Sequence, residues 1–312
     1  TQLAMNRPSK PPRRRIDGVL LLDKPPGMTS NAALQKAKRL LNAAKAGHTG
    51  TLDPMATGLL PICFGEATKF AGELLAADKR YAATVRLGVR TDTADAEGRI
   101  IETRPVAVTR EQVEAALARF RGDILQVPPM HSALKRDGKP LYEYARQGIE
   151  LERTPRAVSI HALDLRTFAE DRLEFDVSCS KGTYIRTLAQ DIGEVLGCGG
   201  HLTALRRTRI GNLDLESAVT LDALEALPAA PRDALLQPAD ALLAGLPMLG
   251  LDEAAARRFS HGQAVPAGQG SPAGQWRVYA ADGRFLGLGR TDADGRVAPV
   301  RLVATTIEQA GS

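Results

Sequence analysis

The chain alternates between short apolar runs and stretches in which apolar and polar positions take turns. Gly18 to Leu22 is a continuous apolar run, which is typical of a strand buried on both faces, and Leu59 to Phe64 is a second one. Tyr81 to Leu87 and Leu173 to Cys179 alternate with period two, which predicts half-buried strands.

Apolar positions recur at helical spacing in four other segments, at residues 34–41, 67–75, 113–120 and 185–195. Thr29 or Ser30 can cap the first of these helices, and the spacing of Thr109 and Gln112 predicts a capping box before the third. Because strands and helices mix without a strict βαβ rhythm, we expect an α+β fold.

The C-terminal part carries two turn signals. Asp282-Gly283 separates two short apolar runs and predicts a β-hairpin, and Asp294-Gly295 precedes a further run. Residues 225–247 are rich in Ala and Pro, which indicates a linker with short helical pieces. We therefore predict a main domain at 16–247 that ends in this linker, and a small β-rich domain at 248–305.

Composition and charge narrow the classes of protein. The 312 residues are 44% hydrophobic, enough for a core of ordinary size, and the net charge of +5 suits a polyanionic partner. Residues 1–15 are rich in Pro and Arg, which predicts a disordered basic arm without a secretory leader. No stretch approaches the ~18 apolar residues of a membrane span, so we expect a cytoplasmic protein without membrane contact.

The segment from His48 to Pro61 is the strongest candidate for chemistry. We expect a glycine-rich loop over 47–58, in which Asp53 precedes a proline and is therefore held in extended geometry. Taken alone, Asp53 could equally be a turn or cap residue.

Four motifs in this order, between Gly18 and Arg207, resemble the signature of bacterial TruB-type pseudouridine synthases: DKPPGMTS, GHTGTLDPMATGLLP, RYAATVRLGVRTDTADAEG and SCSKGTYIRTLAQDIG. The resemblance implies a mixed, mainly antiparallel sheet with flanking helices and a central RNA-binding cleft. It also implies isomerisation of uridine 55 in the T-loop of tRNA to pseudouridine, without a cofactor or a metal. The C-terminal domain resembles a PUA domain, a small RNA-binding β-fold.

The same resemblance assigns roles to residues within the matching motifs. It implies that Asp53 is the catalytic carboxylate, that Arg186 pairs with it, and that Tyr81 stacks on the target base and removes a late proton. Tyr184 and Leu205 are expected to line the pocket.

Four further residues lie within the motifs. His48 matches a histidine that fills the space left by the extruded base, and Lys24 lies in a supporting motif beside the site. Asp92 and Asp95 could suggest a metal site, but two acids with a nearby glycine are more often a turn.

The reaction suits a carboxylate. It breaks one C–N bond and forms one C–C bond to the same sugar, and a carboxylate can act there as a nucleophile or stabilise a developing cation. The sequence leaves open whether Asp53 attacks the sugar or the base, or assists formation of a glycal. The base must first flip out of the folded T-loop, at a cost of a few kcal/mol.

Two basic segments are candidates for holding RNA. Residues 130–156, which we call the insertion, resemble the part of bacterial TruB-type enzymes that closes over the T-arm. Its basic residues include Lys135, Arg136, Lys139 and Arg146, with Tyr142 and Tyr144 interleaved. A second cluster, Arg206, Arg207 and Arg209, has no acids beside it in sequence and predicts phosphate contacts.

Two alternatives compete with a stand-alone tRNA-modifying enzyme. One is an RNA-binding or tRNA-folding protein that acts without catalysis. The other is the guide-RNA-dependent relative found in eukaryotes and archaea, which shares the aspartate loop. The intact set of Asp53, Tyr81 and Arg186 and the insertion favour the stand-alone enzyme, expected as a monomer that needs no protein partner.

Overall fold

The structure is a computed structural model that describes residues 12–268 and 272–304. Most of the arm predicted at 1–15 therefore lies outside the described residues. The strands of the main domain are β1 Gly18–Lys24, β2 Ala46–His48, β3 Thr57–Phe64, β4 Lys79–Leu87, β5 Val89–Thr91, β6 Ile100–Thr103, β7 Gly122–Gln126, β8 Lys135–Arg136, β9 Lys139–Pro140, β10 Arg156–Ala169, β11 Arg172–Cys179, β12 Gly200–Ile210, β13 Leu213–Asp214 and β14 Val219–Thr220.

The C-terminal strands are β15 Met248–Leu251, β16 Val265–Pro266, β17 Gly274–Ala280, β18 Phe285–Thr291 and β19 Arg296–Leu302. The α-helices are α1 Ser30–Leu40, α2 Ala71–Ala76, α3 Arg110–Ala118, α4 Leu141–Arg146, α5 Ile185–Val195, α6 Leu221–Ala226, α7 Ala229–Asp233 and α8 Glu253–Ser260. Short 3₁₀ helices cover Gly65–Phe70, Leu215–Ser217 and Ala239–Leu243. Within the described ranges, no helix is long and apolar enough to cross a membrane.

The centre of the fold is a ten-stranded sheet. Its order is β14-β1-β3-β12-β4-β11-β10-β7, with β2 beside β3 and β13 beside β12. The β1–β14 and β3–β12 pairs are parallel and the other pairs are antiparallel, so the predicted mixed, mainly antiparallel α+β fold is confirmed.

The continuous apolar run of β1 is buried on both faces, as predicted. Leu20 and Leu22 join the larger core, where α1 and α5 pack against the sheet. Val19 and Leu21 point to the opposite face and join a second core. Because side chains alternate along a strand, one run supplies both layers.

The predicted helix caps are present. Thr29 accepts a hydrogen bond from the backbone N–H of Ala32, and Thr109 and Gln112 form both bonds of a capping box. The single helix predicted at 67–75 is wrong in detail. It is divided into a 3₁₀ helix and α2 because Phe70 leaves helical geometry, with φ −105° and ψ 0°.

The predicted hairpin around Asp282-Gly283 is confirmed as the antiparallel β17–β18 pair, and β19 follows the second turn. These strands belong to a five-stranded sheet in the order β15-β17-β18-β19-β16. Its separate core includes Phe259 of α8, together with Val278 and Val297.

The small sheet is joined to the second core of the main domain. The ring of Phe285 lies 5.4 Å from that of Phe70, and Lys69 donates to the carbonyl of Leu302 at 2.9 Å. Residues 225–247 contain the predicted short helices, but they pack on the sheet, with Leu242 and Leu243 buried. The small sheet therefore packs on the face of the ten-stranded sheet that lies opposite α1 and α5, and it does not cover the α1–α5 face.

Candidate active site

Four neighbouring strands bring functional side chains into one row across the sheet. Lys24 of β1 is opposite Gly58 of β3, Gly58 is opposite Arg207 of β12, and Arg207 is opposite Tyr81 of β4. Residues directly opposite each other project from the same face. The row therefore lies on the α1–α5 face.

Gly58 is required in this row. Its φ is +100°, and a Cβ there would lie 2.3 Å from the carbonyl oxygen of Arg207. The predicted loop over 47–58 is shorter than expected, because Gly47 and His48 pair with β3 and because Thr57 and Gly58 already belong to that strand.

The Asp53 turn is fixed by the motif that precedes it. Ser30, the first residue of α1, donates its hydroxyl to the carbonyl of Leu52 at 3.0 Å and accepts the N–H of Leu52 at 2.8 Å. Ala56 closes the turn by donating to the carbonyl of Asp53 at 3.1 Å. Its sequence position predicted Ser30 only as a possible helix cap, whereas in the structure Ser30 anchors Leu52, the residue before Asp53.

Lys24 holds the other side of the same turn. Its fully buried ammonium group donates to the carbonyls of Pro25, Met28 and Pro54 at 2.8, 2.6 and 3.2 Å. Burial lowers the pKa of Lys24 to about 8, although the nearby charge of Asp53 opposes that change.

Arg186 at the start of α5 is the partner of Asp53. Its Nε lies 2.9 Å from Oδ2 of Asp53 and its Nη2 lies 3.4 Å from Oδ1, which is a two-point contact. The guanidinium also donates to the carbonyls of Thr93 and His131, at 3.2 and 2.6 Å, and lies 3.4 Å from Asp95. Only 5% of the Arg186 side chain is exposed, so these contacts fix its direction.

Asp53 remains accessible, with 37% of its side chain exposed. Burial raises the pKa of Asp53 above its ordinary value; the Arg186 guanidinium opposes that rise, and the second carboxylate, Asp95, adds to it. Arg186 is thus the main group that favours the charged form of Asp53.

Asp95 was not expected to contribute to the site. It is buried, accepts the hydroxyl of Thr93 at 2.5 Å and the N–H of Glu97 at 3.1 Å, and faces Arg186. Asp92 instead binds Arg99, so the two acids point to different partners. The position of Asp95 inside the third motif was a signal in the sequence, but its partner lies 91 residues away.

Tyr81 and Tyr184 both lie near Asp53, because the charge of Asp53 contributes to raising the pKa of each phenol. Tyr184 lies at the N-cap position of α5, without a capping hydrogen bond from its side chain. Buried Gln126 binds its backbone twice, accepting its N–H at 3.0 Å and donating to its carbonyl at 3.3 Å. Leu205 is buried in the core that Tyr81 contacts, opposite the next inward residue of β4, Ala83. Gln126 was missed because nothing in its local sequence marks it.

His48 ends β2 beside this group. Burial lowers the pKa of His48, and the positive charge of Arg207 lowers it further. Its Nδ1 is buried and has no hydrogen-bond partner among the described residues. A neutral, half-buried imidazole is a suitable stacking surface.

The prediction that the second basic cluster contacts phosphates is wrong for Arg207. Arg207 is only 1% exposed and donates to the carbonyls of Leu59 and Gly50 at 2.8 and 3.2 Å, so it cannot reach a phosphate. Arg206 points to the other face, where it pairs with Asp23 at 2.6 Å. A phosphate contact of Arg206 stays a prediction.

The basic side chains of the insertion are more exposed to solvent than Arg207. β8 and β9 form a hairpin whose Lys135, Arg136 and Lys139 are exposed, and Arg146 lies 5.3 Å from the ring centre of Tyr142. Because the carbonyl of His131 near its start accepts a hydrogen bond from Arg186, the insertion is connected directly to the Asp53–Arg186 pair.

Three family models match the chain. Residues 38–185 match the N-terminal domain of the TruB family pseudouridylate synthases, 186–244 match the tRNA pseudouridylate synthase B C-terminal domain, and 247–303 match the C-terminal model of pseudouridine synthase II TruB. The chain belongs to the TruB family of pseudouridine synthases.

Curated relatives in this family are similar over nearly their whole length. The tRNA pseudouridine synthase B of Aromatoleum aromaticum is 62% identical over 293 residues, which cover 94% of each chain. The protein of the same name from Burkholderia lata is 61% identical over 310 residues, covering 98% of this chain and 95% of its own.

Solved structures of two complexes that contain Cbf5 are more distant. The structure of a Cbf5-Nop10-Gar1 complex contains a chain with 28% identity and a TM-score of 0.68, covering 88% of this chain and 78% of its own. A chain of the archaeal box H/ACA sRNP Nop10-Cbf5 complex has 27% identity and a TM-score of 0.69, covering 92% and 85%. The fold is thus shared with these chains, and the higher identity lies with the proteins named tRNA pseudouridine synthase B.

Proposed function

We propose that this TruB-family protein isomerises uridine 55 in the T-loop of tRNA to pseudouridine, with Asp53 as its catalytic carboxylate. The observation that carries the proposal is the two-point contact between accessible Asp53 and buried Arg186. It occurs in a chain that is about 60% identical to relatives named tRNA pseudouridine synthase B. A charged carboxylate held in one direction is what attack on, or stabilisation of, a sugar cation requires.

The target base has to leave the T-loop to reach Asp53. Tyr81, Tyr184 and Leu205 supply aromatic and apolar surface for the flipped uracil beside the carboxylate. In this proposal His48, neutral and half-buried, fills the space that the base vacates.

The rearrangement needs no external reactant. The C1′–N1 bond breaks and its electron pair leaves with the uracil, which turns so that C5 forms the new bond to C1′. The proton on C5 is then lost, its electron pair restores the C5–C6 double bond, and N1 takes up a proton from solvent, so that the number of protons is unchanged. Tyr81 is the proposed acceptor of that proton.

The rest of the chain is proposed to hold the tRNA as a single, monomeric protein. The exposed cations of the insertion contact phosphates of the T-arm, and the domain at 248–305 adds a further RNA-binding surface. This division into a catalytic domain at 16–247, a small domain and a basic arm at 1–15 is itself part of the proposal.

The test is incubation of the pure protein with an unmodified tRNA transcript, followed by mapping of pseudouridine. We expect one modified position, uridine 55, without guide RNA, protein partner, cofactor or metal. A transcript whose uridine 55 is replaced by cytidine is the control. Binding without any pseudouridine would support the non-catalytic alternative, and activity only with a guide RNA would place the protein with the archaeal complexes.

A further inference from the structure

The insertion leaves the edge of the main sheet and returns to it at one point, through two segments at 127–131 and 150–155 that we call the neck. β7 ends at Gln126 and β10 begins at Arg156, and these two residues are paired in register. Gln126 also binds the backbone of Tyr184 at the start of α5. The neck therefore begins at the residue that holds the end of α5 from which Arg186 projects.

Arg153 joins the two sides of the neck. Its Nη1 donates to the carbonyl of Pro128 at 3.3 Å on the outgoing side, and its Nε donates to the carbonyl of Leu151 at 3.1 Å on the returning side. Its Nη2 binds a carboxylate oxygen of Glu150 at 2.9 Å. Only 22% of the Arg153 side chain is exposed, whereas Lys135 of the hairpin is exposed to solvent. The guanidinium of Arg153 thus binds the protein's own backbone.

The outgoing side of the neck reaches Arg186 shortly after Pro128. The carbonyl of His131 accepts a hydrogen bond from Nη2 of Arg186 at 2.6 Å, which is shorter than the contacts of Arg186 with Asp53 at 2.9 and 3.4 Å. Nη2 is also the nitrogen that lies 3.4 Å from Oδ1 of Asp53. Because one nitrogen contacts both oxygens, a shift of the His131 carbonyl changes the direction in which the guanidinium meets the carboxylate.

We propose that Arg153 is a positioning residue for the Asp53–Arg186 pair, because by closing the neck it holds the His131 carbonyl against Arg186. The inference rests on the proposed function and deepens it, since it adds a residue outside the site to those that set the rate. Arg153 acts through Arg186 and does not itself touch the substrate. A displacement of about 1 Å in an oriented reactive group can lower a rate by about a hundred-fold.

Two simpler roles for Arg153 predict different results. A cation that contacts a phosphate contributes affinity and salt dependence, and its loss leaves the rate of bound tRNA unchanged. A residue that only stabilises the fold lowers the free energy of unfolding when it is lost, and the folded molecules still react at the normal rate. Loss of a positioning residue lowers the rate of bound tRNA in a folded protein. Rate, affinity and stability, measured separately, distinguish these roles.

The experiment measures single-turnover pseudouridine formation at saturating enzyme, tRNA affinity and urea unfolding for Arg153→Gln and Arg153→Lys. For Arg153→Gln we expect the rate to fall by about ten- to a hundred-fold, with affinity within about threefold of the wild type. Arg153→Lys keeps a donor for one of the two carbonyls and should recover part of the rate. A rate of Arg153→Gln within about twofold of the wild type would overturn the proposal, whatever the affinity.

Arg232→Gln is the matched control. Arg232 also uses its guanidinium to bind backbone carbonyls, those of Leu40, Leu224 and Glu225, and it lies outside the neck and the site. This variant should lose free energy of unfolding and keep the single-turnover rate of the wild type. A rate loss in Arg232→Gln equal to that in Arg153→Gln would show that the rate follows general loosening of the fold, and it would also overturn the proposal.

A second measurement does not depend on activity. Solvent exchange of the Arg186 Nε proton is followed by ¹⁵N NMR in the protein without RNA, with the signal assigned by its absence in Arg186→Lys. We expect exchange to be faster by about tenfold or more in Arg153→Gln and unchanged in Arg232→Gln, because an open neck releases the guanidinium. Unchanged exchange in Arg153→Gln would remove Arg153 from this role. Absence of pseudouridine with the wild type would instead contradict the proposed function.

Discussion

The site around Asp53 and the insertion both depend on basic side chains, yet they hold them in opposite ways. Arg186 and Arg207 are 5% and 1% exposed, and each binds specific carbonyl or carboxylate oxygens. Lys135 and Lys139 lie in a two-residue-turn hairpin and are exposed to solvent.

The difference shows how one type of side chain performs two tasks. A buried cation has lost its water, so it is stable only where hydrogen bonds fix it, and it then acts at short range on one neighbour. An exposed cation keeps its water and freedom and acts through a field that is screened over about 8–10 Å at ordinary ionic strength. The site should therefore respond to small changes of shape, and the insertion should respond to charge and salt.

The largest expected effect is that of Asp53→Asn, which keeps the shape of the site and removes its charge. Single-turnover conversion should fall by at least about a thousand-fold, while tRNA affinity stays near that of the wild type. Asp92→Asn is the control, because Asp92 binds Arg99 away from Arg186. Conversion by Asp53→Asn within about tenfold of the wild type would contradict the assignment of Asp53 as the catalytic carboxylate.

Tyr81 tests whether a side chain in the site contributes surface or chemistry. If its hydroxyl moves the proton, Tyr81→Phe should bind tRNA normally and form almost no pseudouridine, whereas Tyr81→Leu should also lose affinity, by about 1–3 kcal/mol. The measurements are single-turnover rates at saturating enzyme and binding constants. Near-normal turnover by Tyr81→Phe would leave Tyr81 as a stacking surface only.

Substitution of two glycines tests how well the site and the insertion each tolerate an added methyl group. Gly58→Ala would place a methyl group 2.3 Å from the Arg207 carbonyl at a φ of +100°, and should cost about 3 kcal/mol of unfolding free energy or more. Gly138→Ala, in the insertion hairpin at a φ of +81° with open space around it, should cost only about 1 kcal/mol. Urea unfolding measures both, and equal costs would contradict the contrast.

Charge removal from the insertion should have the smallest effect. Neutralising Lys135, Arg136 and Lys139 to Gln should weaken tRNA binding and lower the slope of log affinity against log salt by roughly two. Arg110→Gln with Arg119→Gln, two exposed cations at the first residue and the C-cap of α3, is the control for a general change of net charge. A slope equal to that of the control would move the RNA-binding face away from the insertion.

Much of the fold followed from local patterns. The period-two stretches at Tyr81 to Leu87 and Leu173 to Cys179 became β4 and β11, and the capping box at Thr109 appeared with both of its bonds. These features depend on neighbours within a few residues, which a sequence displays directly. The break of the predicted helix at Phe70 did not follow, because it depends on how the segment packs under the small sheet.

By itself the sequence determined four strands of the main sheet, the caps, the four ordered motifs and the position of Asp53 within them. Only the tertiary structure decided which charged residues meet. Arg206 and Arg207 are adjacent and look equivalent in sequence, but alternation along β12 sends one to Asp23 on the outer face and buries the other beside Tyr81. Partners such as these lie more than a hundred residues apart, so burial and counter-charge are fixed by sheet register rather than by local sequence.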